Sequence, residues 1–234
     1  MNETRWERYG AGAGIAFVAF AIIGTFVVPL TPHIDASVGS IAAYVSSHHN
    51  GLMTSALLLC ASALAFLWFT GHLRHVLQRS EGGAEALSPM VYGAGIATAV
   101  IAIVAAVPMA VLGFMAGRPS DPISGAVIRM LFDSNWVLGA MTGLAAGLFL
   151  VAASVAMIRK EMVSVNLGWL GMLAAMLIWI SSAADLYAHR YSAGLSVLGL
   201  IGYLGFALWT LLCSVLMYRH PEVERAEAHH PVFA

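Results

Sequence analysis

Six long apolar runs, separated by short polar stretches, set the pattern of the chain: residues 10–30, 50–70, 89–117, 135–158, 165–187 and 193–218. About 20 apolar residues take a helix across a bilayer core, where hydrocarbon offers backbone amides and carbonyls no partner outside the helix itself. Each run meets that length, and none has a formal charge in its middle. The pattern predicts an all-α membrane protein whose core is a bundle of six transmembrane helices. Residues 1–9 form a short N-terminal segment, 10–218 one transmembrane domain and 219–234 a polar tail.

The stretches between the runs hold further elements. After the first run, Asp35 is placed to accept hydrogen bonds from the free amides that open a helix, and Val38, Ile41 and Val45 recur at helical spacing. After the third, Asp121-Pro122 reads as a cap followed by a proline at the first helical position, with Val127, Met130 and Leu131 behind it. These predict two short interfacial helices on the outer side. The connection around His189–Ser192 is too short for a third. Glu81-Gly82-Gly83 is a turn signal, and Ser88-Pro89 opens the third span. That span is uncharged from Ala86 to Gly117 and contains Pro108, whose ring crowds the carbonyl of Val104 and predicts a kink.

Composition strengthens the membrane reading. Charged residues make up 10% and hydrophobic residues 60% of the 234, with a mean hydropathy of +0.83. A soluble domain carries roughly 25% charged residues. The basic lead-in of Arg5 and Arg8 resembles that of a signal peptide. The first run is too long for a signal core and no small-x-small cleavage site follows it, so it reads as a retained span.

Of the eleven Lys and Arg residues, Arg5, Arg8, Arg74, Arg79, Arg159, Lys160, Arg219 and Arg225 fall on one predicted side. Arg118, Arg129 and Arg190 fall on the other. This bias places the N- and C-termini in the cytoplasm and the protein in the cytoplasmic membrane. The net charge of −1 points to no charged partner, and no nucleic acid is expected. Cys60 and Cys213 sit inside apolar runs and read as buried thiols.

Gly139, Gly143 and Gly147 repeat every four residues on the fourth span and form a helix-packing ridge. It suits contacts within the chain, or a seam to a second copy or another membrane protein. Thr25, Thr54, Ser62, Thr98, Thr142, Ser154 and Thr210 are the polar groups within spans, and each can bond to a carbonyl of its own preceding turn.

Candidate chemistry gathers on the predicted outer side. Ser181, Asp185 and His189 share one helical face, but Ser181 and His189 lie about 12 Å apart along a helix, too far for a nucleophile and its base. Asp185 and His189 are better read as two metal ligands on adjacent turns, completed by His33 or His48. His72, His75 and His220 lie in polar, basic surroundings that suit a solvated face better than haem. No cofactor is expected. The chain has no His-Glu-x-x-His, no Gly-x-Ser-x-Gly and no phosphate-binding glycine loop.

One set of residues resembles a known group. Arg5-Trp6-Glu7-Arg8-Tyr9-Gly10, Asp35-Ala36-Ser37 leading to Ile41-Ala42-Ala43-Tyr44-Val45, Phe66-Leu67-Trp68-Phe69, Leu167-Gly168-Trp169-Leu170-Gly171 and Leu208-Trp209 are similar, in this order, to an uncharacterised actinobacterial-type family of six-span membrane proteins. Asn166-Leu167-Gly168 departs from it where many members have a proline. The resemblance implies the six-span bacterial fold and lends no functional residue.

Three readings follow. The first is a non-enzymatic accessory subunit or a binder of lipid or another apolar small molecule. The second is a metal-dependent hydrolase of the outer surface using the Asp/His cluster. The third is a small transporter of a neutral or lipid-like substrate, with its path near Pro108.

Overall fold

The computed structural model describes the backbone of residues 3–81, 87–118, 124–159, 164–187 and 192–219. Six helices follow in order: α1 (Glu3–Phe26), α2 (Val38–Glu81), α3 (Leu87–Ala116), α4 (Gly125–Arg159), α5 (Val165–Tyr187) and α6 (Ala193–Arg219). No strand occurs among the described residues. Each helix packs on the next, α6 returns to α1, and α2 also reaches α4, so the bundle closes in chain order. Neighbours run antiparallel: Gly10 near the start of α1 faces His72 late in α2, and Gly199 early in α6 faces Ser181 late in α5. One end of the bundle therefore holds Arg129 and the other Arg74.

Among the described residues, five helical segments are long and apolar enough to cross a membrane: Val38–Gln78, Leu87–Ala116, Gly125–Arg159, Val165–Tyr187 and Ala193–Tyr218. In α1 the apolar described part is Gly12–Phe26. The outward faces carry exposed Leu57, Trp169, Leu200 and Leu204, a surface suited to lipid and unsuited to water. The protein is an all-α, multi-pass membrane bundle.

The two expected interfacial helices are present as extensions of spans. The first is the start of α2, a helix of 44 residues that leaves helical geometry at His48 (φ −122°, ψ 18°). Its cap is Ser37, whose Oγ accepts the Ser40 amide at 3.2 Å. Asp35 does not fill that role. The second runs into α4 without a separate helix boundary, opening after Ser124, whose carbonyl accepts the amides of Val127 and Ile128. Asp121 and Pro122 lie outside the described residues, as do the Gly82-Gly83 turn and the tail beyond Arg219. α3 stays helical through the buried Pro108, between Leu87 and Ala116.

Two cores hold the bundle. At its centre Phe66 of α2 meets Phe17 of α1 at 4.9 Å, Phe149 of α4 at 5.0 Å and Phe206 of α6 at 5.5 Å, centroid to centroid. Trp209 stands edge-on to Phe149 at 6.0 Å. A smaller core at the Arg129 end joins Ile41, Val45 and Leu52 of α2 to Met109 and Leu112 of α3 and Ile128 and Phe132 of α4. It docks the extensions of α2 and α4 onto the end of α3.

Between helices, glycines receive hydroxyls. The open Cβ positions of Gly14, Gly95, Gly143, Gly171 and Gly199 face Ser214, Thr70, Ser182, Ser154 and Ser181 respectively. A hydroxyl seated where a Cβ is missing brings two backbones close without a void, which is how spans associate when lipid removes the hydrophobic drive.

Candidate functional site

The Arg129 end is built around one guanidinium. Arg129 donates through Nε to Asp133 Oδ2 at 2.9 Å, through Nη1 to the Ala36 carbonyl at 3.0 Å and through Nη2 to the Ile34 carbonyl at 2.7 Å. Its planar fork thus pins the connection before α2 to α4. Tyr44 adds a second tie, donating to the Pro29 carbonyl at 2.8 Å. His48 closes the break in α2, its Nδ1 lying 2.9 Å from the Tyr44 carbonyl and its ring 4.8 Å from the Tyr44 ring.

Three of the four proposed metal ligands, His33, His48 and Asp185, are spread over this end. His33 is exposed in the connection after α1, His48 is bound up with Tyr44 on α2, and Asp185 is half-buried on α5. The main neighbours of α5 are α4 and α6, and those of α2 are α1 and α3. Among the described residues no group of three His, Cys, Asp or Glu is placed to hold a metal ion. His189 lies outside the described residues.

The glycine ridge of α4 is occupied within the chain. Gly143 meets Ser182 and the Tyr203 hydroxyl, and Gly147 meets the Trp179 indole, whose Nε1 donates to the Leu144 carbonyl at 2.9 Å. Gly139 faces open space. Tyr203 and Ser182 hydrogen-bond to each other, and Asp185 lies close enough to act on the phenol electrostatically. The Tyr203 ring is exposed on the lipid face while its hydroxyl points into the seam.

The intramembrane hydroxyls divide into three sets. Thr25, Thr54, Thr98 and Thr142 donate to the carbonyl four residues back, at 2.8–2.9 Å, as expected from their own turns. Ser62 departs from that expectation. It donates across to the Phe17 carbonyl of α1 at 2.9 Å, as Ser55 does to Gly24 at 2.7 Å.

Ser154 and Thr210 also depart from it. Their Oγ atoms have no partner, and neither do Ser214 Oγ and Trp209 Nε1. All four residues are 0% exposed. Each unmatched polar atom in such a place costs about 1–3 kcal/mol.

These four residues lie in the Arg74 half of the bundle. Ser154 lies five residues before the end of α4 and Gly171 six after the start of α5, about 8–9 Å into the bundle at 1.5 Å per residue. Ser154 Oγ and Trp209 Nε1 converge on the same open Cβ position of Gly171, the indole nitrogen 2.7 Å from it. Thr210 and Ser214 follow one turn apart on α6, with Ser214 against Gly14 of α1.

The sequence reading passed over Trp209 and Ser214 as site residues. The available signal was the clustering of Trp, Thr and Ser at 209, 210 and 214 within one apolar run. Toward the bundle end, the Arg74 guanidinium lies 4.6 Å over the Tyr92 ring. Comparison with protein-family models, curated proteins and solved structures returned no match.

Proposed function

We propose that this chain is a six-span protein of the cytoplasmic membrane, with both termini inside, that holds a lipid-soluble small molecule within its bundle without transforming it. The sixth span is α1, whose 24 residues reach about 36 Å. The orientation follows from the eight basic residues assigned above to the Arg74 side.

The observation behind the binding role is the set of wholly buried, unpartnered polar atoms on Ser154, Trp209, Thr210 and Ser214. Buried polar groups in native proteins have partners almost without exception. Seven buried side-chain polar atoms lack one among the described residues, and two of them, Ser154 Oγ and Trp209 Nε1, face the same glycine, a place where something else would supply the missing hydrogen bonds. Thr70 and Thr98, also buried, bond their own helices, so burial alone does not produce the deficit.

Native mass spectrometry of protein extracted gently from its own membrane tests this. A stoichiometric lipid-soluble adduct is expected on the wild type and not on a Ser154→Ala, Trp209→Phe double variant. Wild-type protein that emerges as the bare chain, with a fold as stable as that of the variant, refutes the role.

A further inference from the structure

We propose that the Arg129 half of the bundle holds a cleft, open to lipid between α1 and α6, that takes an amphiphile with an ammonium head, the head beside Asp185 in the room next to Gly139. This stands on observations apart from the binding role above and concerns the opposite half of the bundle.

The opening follows from one side of each helix. On α6, Tyr203, Thr210 and Ser214 share a side at steps of seven and four residues. Ser214 meets Gly14 of α1, so this side looks toward α1. Thr210 and Ser214 are 0% exposed, whereas Tyr203 is 39% exposed. On α1, Gly14, Val18 and Thr25 share the matching side; Gly14 and Val18 are buried and Thr25 is exposed. The two helices therefore close on each other in the Arg74 half and stand apart in the Arg129 half. Phe17 and Phe206, 5.5 Å apart between centroids, form the floor where the seam closes.

Behind the opening the walls are polar. Tyr203 reaches from α6 to Gly143 of α4 and hydrogen-bonds Ser182 of α5, although its ring is exposed. One turn nearer the bundle end, Asp185 stands half-buried on α5. Since α4 and α5 are antiparallel and Gly143 lies against Ser182, Gly139 comes level with the turn that carries Asp185. A Cβ at Gly139 would meet nothing within 4 Å. Room thus lies beside the carboxylate, while the position at Gly143 is filled.

The cleft grades from charge through hydroxyl to hydrocarbon. Ser181 faces Gly199; Asp185 lies one turn beyond that level, about 6 Å, and Phe206 lies about 10 Å below it. An amphiphile standing here puts its head at the carboxylate, its linkage at the hydroxyls of Tyr203 and Ser182, and its chain against Phe17 and Phe206. The charge of the head follows from Asp185. Asp133 already has Arg129, but no basic side chain pairs with Asp185 among the described residues; His189 and Arg190 lie outside them. A carboxylate facing a lipid-filled cleft attracts an ammonium and repels an anionic head.

Photo-crosslinking in lipid nanodiscs tests this, using diazirine probes of one alkyl chain length that carry a primary ammonium, an alcohol or a carboxylate. Saturable labelling of the Arg129 halves of α1 and α6 is expected for the ammonium probe, about tenfold above the alcohol, the low end of what a hydrogen bond to a charged group contributes. The carboxylate should label least. Asp185→Asn should erase the preference for the ammonium, and Gly139→Leu should lower labelling by every probe by filling the room beside Asp185. Excess ethylamine should not compete, because it has the head without the chain. Asp185→Asn conserves shape, so it serves even if Gly139→Leu fails to fold.

Equal labelling by ammonium and alcohol, or a preference that survives Asp185→Asn, overturns the cationic head. A folded Gly139→Leu variant that labels like the wild type overturns its placement, and competition by ethylamine overturns the amphiphile. Labelling that no probe saturates, or that falls outside the Arg129 halves of α1 and α6, overturns the cleft. None of these results touches the adduct sought by mass spectrometry, whose absence refutes the role proposed above and leaves the cleft standing.

Discussion

Replacing Gly143 by alanine tests the packing of α4 on α5 most directly, because Gly139 on the same ridge provides the control. A Cβ at position 143 would coincide with Ser182 Oγ and approach the Tyr203 hydroxyl to 2.8 Å and Ile178 Cγ2 to 3.1 Å. A Cβ at 139 would meet nothing within 4 Å. Ordinary carbon contacts lie near 3.5–4.0 Å, so alanine at 143 forces Ser182 to turn away. That movement breaks the Ser182–Tyr203 hydrogen bond, worth about 1 kcal/mol. Ile178 is fully buried and cannot retreat without moving the α5 backbone. Adding overpacking at the low end of its usual 1–3 kcal/mol, Gly143→Ala should destabilise the protein by about 2 kcal/mol. Gly139→Ala should be neutral or gain up to about 1 kcal/mol from helix propensity.

Equilibrium unfolding in mixed micelles, followed by near-ultraviolet circular dichroism, measures both variants on one scale. The reasoning also demands coupling. In a Ser182→Ala background the nearest obstacle is gone, so the cost of Gly143→Ala should fall by about 1 kcal/mol, a size typical of contacting pairs. Equal stabilities for the 139 and 143 variants, or additive effects of 143 and 182, would refute the seam described here.

Further outcomes follow from the same geometry. Arg129→Ala should loosen the connection before α2, raising amide exchange at Ala36 several-fold and lowering stability by about 1–2 kcal/mol, since the pair with Asp133 is part-exposed at 35% and 42% and solvent replaces much of it. Arg129→Lys should recover less than half of that, because an ammonium cannot span both carbonyls and the carboxylate. Ser62→Ala removes a bond from α2 to the α1 backbone and should lower unfolding stability by about 0.6 kcal/mol, the mean for such bonds between spans. Thr210→Val in ligand-free protein should raise stability by about 1–3 kcal/mol by deleting an unmatched hydroxyl; an unchanged or lower midpoint counts against the deficit. For orientation, a membrane-impermeant maleimide applied to intact cells should label Ser37→Cys and spare Gln78→Cys.

The spans bounded by polar residues at both ends were legible from hydropathy. α5 runs from Val165 to Tyr187 and α6 from Ala193, where the apolar runs begin and end. α2 was legible only in part, because Ser46-Ser47-His48-His49-Asn50 interrupts its apolar run while its backbone stays largely helical. Hydropathy reports the medium around a segment, and a helix that leaves the lipid keeps its hydrogen bonds while its side chains turn polar. The same logic joined Gly125–Ser134 to α4.

Spacing marked Gly139, Gly143 and Gly147 as a ridge. It held no information on which of them a neighbour would fill, since that depends on where Ser182 and Trp179 arrive from α5. The Asp133–Arg129 pair was visible as a four-residue spacing, but the two carbonyls of residues 34 and 36 that complete it were not.

A hydroxyl at membrane depth has three fates, and they differ in what they imply. Bonded to its own helix, as Thr98 is, it is energetically almost silent. Bonded to a neighbour, as Ser55 and Ser62 are, it locks a pair of helices. Left without a partner it is a pure cost, and any mutation to alanine, valine or phenylalanine relieves it in one step. Three such hydroxyls and the Trp209 indole, at about 1–3 kcal/mol each, are together comparable to the whole folding stability of an ordinary domain, about 5–15 kcal/mol. Scattered singly, they would pass for imperfect packing. Ser154 of α4 and Trp209 of α6 instead converge on one glycine, and Thr210 and Ser214 lie on α6 with Trp209. The binding role proposed above follows from this deficit: a molecule that met these atoms would offset it without unfolding the bundle.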